Sequence, residues 1–413
     1  MPTTMTKVPK VSVALILAGL FLAATAGSAF ASRNYVVANN NTSPTNTISI
    51  YELFGNTQGA SLVSVTTVPT GGQGIGGGYP ANPTVVATKQ YPIPGCVFVG
   101  DAGSSDIAVL KPINQSPYLQ VVGNFYSVDG DAATAGGLGI VASGAYVYAS
   151  YTGNGNNISP AIELWFDSTG HCFLENGGRL VTAGINSGPI DSMAVTPNSN
   201  HPALIVGYTD GSVGSYSIGA NILLIGQEMI AGSGVGSGAY ASSVAISRDG
   251  KWAIFADSSA SNTTQVDVAP LTPRGRLGPT TTYGGDGTLG TGLNSTSVAL
   301  SPDNRFIYVV DSGSGQLTTL SFDTTTGIVT YPNNCLTDLK GYNASWATAS
   351  QVDVIGDAGT GQGLYISEGF LTGDSYIALL AVDSKTGCTT ELPRSPFVDS
   401  NGGSLQSIAS FNF

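Results

Sequence analysis

Carboxylates and side-chain amides fall in two recurring places along this 413-residue chain. Asp129, Asp131, Asp191, Asp286, Asn294, Asn343 and Asp399 stand at or shortly before short apolar segments, whereas Asp101, Asp106, Asn154, Asn156, Asp257, Asp311, Glu368 and Asp374 stand between others. Side chains of this kind can do three sorts of chemistry. A carboxylate of suitable basicity can serve as general base in ester or lactone hydrolysis, and Asp131, Asp191 and Glu368 are the candidates. Oxygens converging on one point can hold a divalent cation such as Ca2+, and Asp129-Gly130-Asp131 with Asp286 in Gly284-Gly285-Asp286-Gly287 offers such oxygens. Neither segment has the full Asp-x-Asp-x-Asp-Gly spacing with a later bidentate Glu, so ligands would have to converge from separate parts of the chain. Carboxylates, amides and aromatic rings can also bind without catalysis. Tyr151, Asn154, Asp286, Tyr342, Trp346 and Asp374 are the candidate ligand contacts, suited to a glycan, a peptide or an envelope protein. Asp and Asn also favour turns and hairpin caps, so each has a purely structural use as well.

Other chemistries lack their parts. Only two histidines are present, His171 and His201, and both fall in turns away from these loops, which argues against a histidine-based hydrolase. Phosphate recognition calls for Arg, Lys or a helix N-terminus. Arg248, Lys251, Arg274, Arg276, Arg305 and Lys385 lie elsewhere, and Lys340 alone falls near such a loop. With 14 basic against 26 acidic residues and a net charge of −12, the chain has no electrostatic footprint for nucleic acid or anionic lipid.

The elements that must position these residues repeat. Thr84–Ala87, Leu138–Val141, Met193–Thr196, Val244–Ser247, Val298–Ser301, Val352–Ile355 and Ile408–Phe411 recur at steps of 54, 55, 51, 54, 54 and 56 residues. A period near fifty built from short strands and turns predicts an all-β, seven-bladed β-propeller of four-stranded antiparallel blades, one per repeat. Ser243–Asp257 and Ser297–Asp311 align as inner strand, tight turn and second strand ending in Asp. Asp249-Gly250 and Asp303-Asn304 supply the left-handed backbone the turn needs. The seventh inner strand has no outer partners after it. Tyr35–Ala38, Ile48–Leu53 and Leu62–Val68 lack an inner partner, so the N-terminal strands are predicted to pair with the C-terminal strand and close the ring. In such a ring, the loops entering inner strands and those joining second to third strands share one face and surround the channel mouth.

The blocks Ser301-Pro302-Asp303-Asn304-Arg305-Phe306-Ile307-Tyr308-Val309 and Ser247-Arg248-Asp249-Gly250-Lys251-Trp252 resemble the repeat of the YVTN/lactonase-like seven-bladed propellers, with Thr196-Pro197-Asn198 a degenerate copy. That group includes 6-phosphogluconolactonase-like proteins and many secreted bacterial propellers. The matching residues form a turn, so the resemblance implies the fold and carries little about catalysis. The paucity of basic groups near the mouth makes a non-phosphorylated substrate the better expectation if the chain is a lactonase.

Residues 1–31 read as a secretory signal peptide and 32–413 as one propeller domain. Lys7 and Lys10 precede the apolar stretch Val11 to Ala24, and Ala29-Phe30-Ala31 is a small-x-small cleavage site. The mature chain is expected to be secreted or periplasmic, with no membrane span after cleavage. Four cysteines, Cys96, Cys172, Cys335 and Cys388, permit disulfides there. Counted from their blade anchors, the last three occupy similar rim positions in three blades, and on that register they are not expected to bridge one another.

Overall fold

The structure is a computed structural model that describes residues 34–54, 61–76, 85–87, 95–113, 115–126, 138–151, 161–167, 172–181, 190–197, 202–218, 222–230, 241–258, 263–284, 288–332, 335–341, 347–355, 363–370, 375–399, 405 and 407–412. Every described element is a strand, and the strands form seven antiparallel sheets. The inner strands of blades 1 to 6 are Val85–Ala87, Leu138–Ser143, Ile190–Val195, Ala241–Ile246, Ser295–Leu300 and Ala347–Ile355. The second strands are Val97–Asp101, Tyr146–Tyr151, Ala203–Tyr208, Trp252–Asp257, Phe306–Asp311 and Gly363–Phe370. The seventh blade takes its inner strand, Ser407–Asn412, from the end of the chain and Asn34–Asn39, Thr47–Phe54 and Ser61–Pro69 from the beginning. All six residues of Asn34–Asn39 pair with Asn412 back to Ser407, as ring closure required.

Each inner strand lies beside the inner strand of the next blade, and the last returns to the first. The apolar clusters repeat this cycle. Seven clusters fill the seven interfaces, from Tyr35, Val37, Val97 and Leu110 between the closing blade and blade 1 to Val36, Ile377, Leu379 and Ile408 between blade 6 and the closing blade. A second strand is therefore covered on both faces, which is why Phe306–Asp311 and Ala203–Tyr208 are buried at every position and read as continuous apolar runs. Outer strands have one free face, and Leu223–Met229 is exposed or half-buried throughout.

The repeated Ser-x-Asp block is a hairpin cap. Ser301 Oγ donates to Asp303 Oδ1 at 2.7 Å and accepts from the Phe306 N–H at 3.0 Å, and Ser247 does the same with Asp249 and Trp252 at 2.7 and 3.0 Å. Asn304 and Gly250 hold φ of 59° and 69° at the turn.

The cysteine expectation is corrected. Cys96 bridges to Cys172, joining blades 1 and 2, and Cys335 bridges to Cys388, joining blades 5 and 6. Counting residues from the inner strand assumed one unbroken outer strand. In blade 5 that strand is split into Ile328–Thr330 and Leu336–Asp338, and in blade 6 into Thr389–Glu391 and Phe397–Asp399. Cys335 precedes a second piece whereas Cys388 precedes a first piece, so equal counts do not place them at equal heights. The Leu336–Asp338 piece lies against the next blade, where Thr337 Oγ1 donates to Thr389 O at 2.8 Å. The two Cα atoms are thereby brought to 4.9 Å, within bridging range.

Candidate functional site

The mouth-side ends of the second strands carry a register of equivalent positions. Asn39 pairs with Ser407, Tyr151 with Leu138, Tyr208 with Ile190, Asp257 with Ala241, Asp311 with Ser295 and Glu368 with Ala349, and Asp101 ends the second strand of blade 1. Asp101, Asp257 and Asp311 are fully buried and act as clasps within the wall. Asp311 accepts from Ser295 Oγ at 2.8 Å, Thr318 Oγ1 at 2.7 Å and Thr264 Oγ1 of the preceding blade at 3.0 Å. Burial nonetheless pushes its carboxyl up to about 6, tempered by those three hydroxyls. Asp257 accepts from Gln265.

Blades 1 and 5 share a larger version of the clasp. Asp101-Ala102-Gly103-Ser104 and Asp311-Ser312-Gly313-Ser314 each hold the loop entering their own inner strand. The Gly103 and Gly313 N–H groups donate to Gln73 O and Leu293 O, both at 2.8 Å. In return the Gln73 and Leu293 N–H groups donate to Ser104 Oγ at 2.7 Å and Ser314 Oγ at 3.1 Å. One residue earlier in each loop, Gly72 and Gly292 press backbone against the carboxylate. A Cβ at Gly292 would lie 2.0 Å from Asp311 Oδ2. Gly292→Ala is expected to cost about 2 kcal/mol by overpacking, read as a lower urea midpoint, and an unchanged midpoint would show that the clasp yields freely.

The open positions lie on the inner strands. In four consecutive blades the pairing of inner with second strand skips one residue near the mouth: Asp191, Ser242, Thr296 and Ser350. Such a bulge turns a side chain out of the regular alternation. Asp191 is half-buried between buried Ile190 and Ser192, and Thr296 is half-buried between buried Ser295 and Ser297. Because both blade faces are covered, exposure there opens toward the channel. Ser242 Oγ donates to Ser295 O at 3.0 Å, and Thr296 Oγ1 donates to Val310 O at 3.4 Å. Ser192 Oγ donates to Ala241 O at 2.6 Å and Ser243 Oγ accepts from the Val298 N–H at 3.2 Å, so hydroxyls tie the inner strands of blades 3, 4 and 5 together. Asp191 is reachable by solvent yet densely surrounded by protein, and this loss of hydration pushes its carboxyl up to about 7.

Of the residues singled out in the sequence, Asp191 is therefore placed at the inner wall. Glu368 occupies the blade 6 position of the second-strand register. Tyr151, expected as a ligand contact, is instead packed in the core between blades 1 and 2 with Phe98, Ala102 and Cys96, because its strand end is covered on both sides. Asp129, Asp131, Asn154, Asp286, Tyr342, Trp346 and Asp374 lie outside the described residues, as do both histidines. Among the described residues no three His, Cys, Asp or Glu side chains gather to hold a metal ion. Sequence reasoning missed Ser242 and Thr296. Their signal was a polar residue ahead of a common core, visible in Asp191-Ser192-Met193-Ala194, Ser242-Ser243-Val244-Ala245 and Thr296-Ser297-Val298-Ala299.

No protein-family model and no curated protein matches the sequence. Solved structures do match its fold. A candidate 6-phosphogluconolactonase from Bacteroides uniformis aligns over 91% of this chain and 99% of its own, at 11% identity and a TM-score of 0.62. A second from Bacteroides fragilis aligns over 94% and 99%, at 14% identity and a TM-score of 0.60. The periplasmic gluconolactonase of Pseudomonas aeruginosa aligns over 92% and 99%, at 15% identity and a TM-score of 0.59. Identities this low establish the architecture and leave the chemistry to this chain's own residues. The chain is a seven-bladed β-propeller with the fold of the lactonase-like structures.

Proposed function

We propose that this protein is an exported propeller whose channel mouth binds a neutral or cationic ligand rich in hydrogen-bond donors, such as a glycan, a peptide or a segment of an envelope protein. The observation that carries this reading is the bulge row. Ser242 donates its hydroxyl hydrogen to the Ser295 carbonyl, which turns its oxygen lone pairs to the role of acceptor, and Asp191 is half-buried at the equivalent bulge of the neighbouring inner strand. Sugar hydroxyls, peptide N–H groups and ammonium groups complement such a wall, and phosphate does not. Export is supported by the basic-then-apolar N-terminal segment and by two disulfides, which persist in oxidising compartments. Isothermal titration against glycan and peptide panels tests the site. Asp191→Asn and Ser242→Ala are each expected to weaken a detected ligand about tenfold, as the loss of one good polar contact does. Undiminished binding by both variants would place the ligand elsewhere.

A second reading is hydrolysis of a non-phosphorylated lactone with Asp191 as general base. It is favoured by the burial that pushes the Asp191 carboxyl up to about 7 and by the likeness in fold to the periplasmic gluconolactonase of Pseudomonas aeruginosa. A base must be deprotonated to act, so turnover would rise with pH through about 7. Asp191→Asn would lower it by a factor of about 10²–10⁴. A pH-indicator screen over aliphatic and sugar lactones decides between the readings, and no turnover above buffer removes the second.

A further inference from the structure

The clasp of blade 1 departs from those of blades 4 and 5 in the residue set opposite its aspartate. In blades 4 and 5 the residue opposite the second-strand aspartate, at the start of the third strand, is a glutamine. Gln265 donates to Asp257, and Gln316 pairs with Asp311 in the ladder. In blade 1 that position is Asp106, paired directly with Asp101, and both carboxylates are fully buried. Two like charges set opposite each other in a sheet destabilise it, and in a buried setting one charge must be removed or neutralised.

The hydrogen bonds show what is missing. Asp101 Oδ1 accepts from Asn46 Nδ2 at 2.6 Å and Thr70 Oγ1 at 2.9 Å, both from the closing blade. Its other oxygen, Oδ2, is buried against the Gly72 backbone and accepts no well-formed hydrogen bond. Asp311 has no such gap, because Thr318 donates to its Oδ2. The matching ladder position in blade 1 is Ala108, which has no hydroxyl. Asp106 meanwhile accepts from Ser104 and from Asn124. Among the described residues no cation faces the pair. Loop 70–76 and segment 39–46 carry no charged side chain. Tyr126, opposite Asp106 on the outer strand, is exposed, and Lys111 and Glu52 sit toward the far ends of their strands. The space is too tight for a hydrated ion, since even a Cβ at Gly72 would lie 2.2 Å from Asp101 Oδ2.

We infer that the buried Asp101–Asp106 pair keeps one proton, held by Asp101, and forms a pH-responsive clasp on the blade that closes the ring. That proton removes one charge from the buried pair. Losing it leaves two buried carboxylates beside the contacts to Asn46, Thr70 and loop 70–76. Burial and the neighbouring Asp106 charge push Asp101 up to about 7, and burial raises Asp106 as well. An unfolded Asp loses its proton near 4, so the folded state holds a proton that the unfolded state lacks over the interval between. The stabilisation is full below about pH 4 and is lost as pH rises through about 7, which makes the closure tightest in acid.

The test is thermal melting of the mature chain between about pH 5 and pH 8 for wild type, Asp106→Asn and Asp106→Gln, the last using the residue found in blades 4 and 5. The wild-type Tm is expected to fall across this range. Asp191 and Asp311 contribute to that fall in all three proteins, so the difference between proteins carries the result. Either variant should gain about 2 °C or more over wild type at pH 8 and none at pH 5, flattening the profile. Infrared absorption of a buried protonated carboxyl should be present in the wild type near pH 6 and weaker in both variants. Parallel Tm profiles, or an unchanged infrared band, would overturn the inference. So would a Tm rise on adding Ca2+ that the wild type shows and both variants lack, which would put a cation where we place the proton.

Discussion

A chain stopped after Ser400 is expected to lose cooperative folding altogether. The strand Ser407–Asn412 supplies the whole inner edge of the closing blade, pairing with every residue of Asn34–Asn39. It also puts Ile408 into the cluster shared with blade 6 and Ala409 into the cluster shared with blade 1. Removing it strips six residues of ladder, opens two of the seven interfaces and leaves a bare edge. At about 1 kcal/mol for each lost hydrogen bond and 1.5–3 kcal/mol for a buried aliphatic side chain, the loss is roughly 5–10 kcal/mol. That equals the entire stability of many domains. The measurement is a melting curve on the purified truncated chain, with the ten-residue peptide 404–413 added back in trans. A truncated protein that melts cooperatively within about 2 °C of the full chain would show that the ring does not depend on this closure.

This dependence was legible in the sequence because an inner strand stood at the end of the chain without outer partners, and three strands at the start stood without an inner one. The period of the apolar segments gave the blades for a similar reason: each second strand is buried on both faces, so its residues are apolar without alternation. Phe306–Asp311 is the plainest case. The Ser-x-Asp blocks were legible as turns because the left-handed positions at Gly250 and Asn304 accept few residue types.

The carboxylates were harder to sort. Asp191 and Asp311 look alike in the sequence, each beside a strand end on the mouth side. One is the skipped residue of an inner strand and is partly exposed, whereas the other ends a second strand and is wholly buried. That difference is set by strand rank within the blade, which a list of acidic residues does not express. Asp101-x-Gly-Ser and Asp311-x-Gly-Ser did carry a signal, since a motif repeated between equivalent loops is more economically explained by architecture than by chemistry at one site. Tyr151 shows the same effect for aromatics: a tyrosine at a loop boundary became core because its strand end lies between two blades.

The cysteines misled because of a break in outer-strand geometry, and the two bridges they form lead to the second large expected effect. Each bridge ties one blade to the next rather than stiffening a single blade. Cys96 and Cys172, 76 residues apart, hold blade 1 to blade 2, and Cys335 and Cys388, 53 residues apart, hold blade 5 to blade 6. A ring with no central core owes its integrity to interfaces between neighbours, so cross-links at two of them restrict how the unfolded chain can expand and how the ring can open. Loops of these lengths correspond to about 4 kcal/mol of stabilisation for each bridge in the chain-entropy account. Cys96→Ser with Cys172→Ala, and separately Cys335→Ser with Cys388→Ala, should each lower the unfolding free energy extrapolated from urea by about that amount. Cys96 and Cys172 are both fully buried in the blade 1–2 core, so their replacement should cost more than the entropic figure as packing is lost. Cytoplasmic expression in a reducing strain should reproduce both losses at once, giving a protein that gains stability on oxidation. A reductant that leaves the urea midpoint unchanged would mean that the interfaces alone hold the ring, and that the bridges serve some purpose other than its stability.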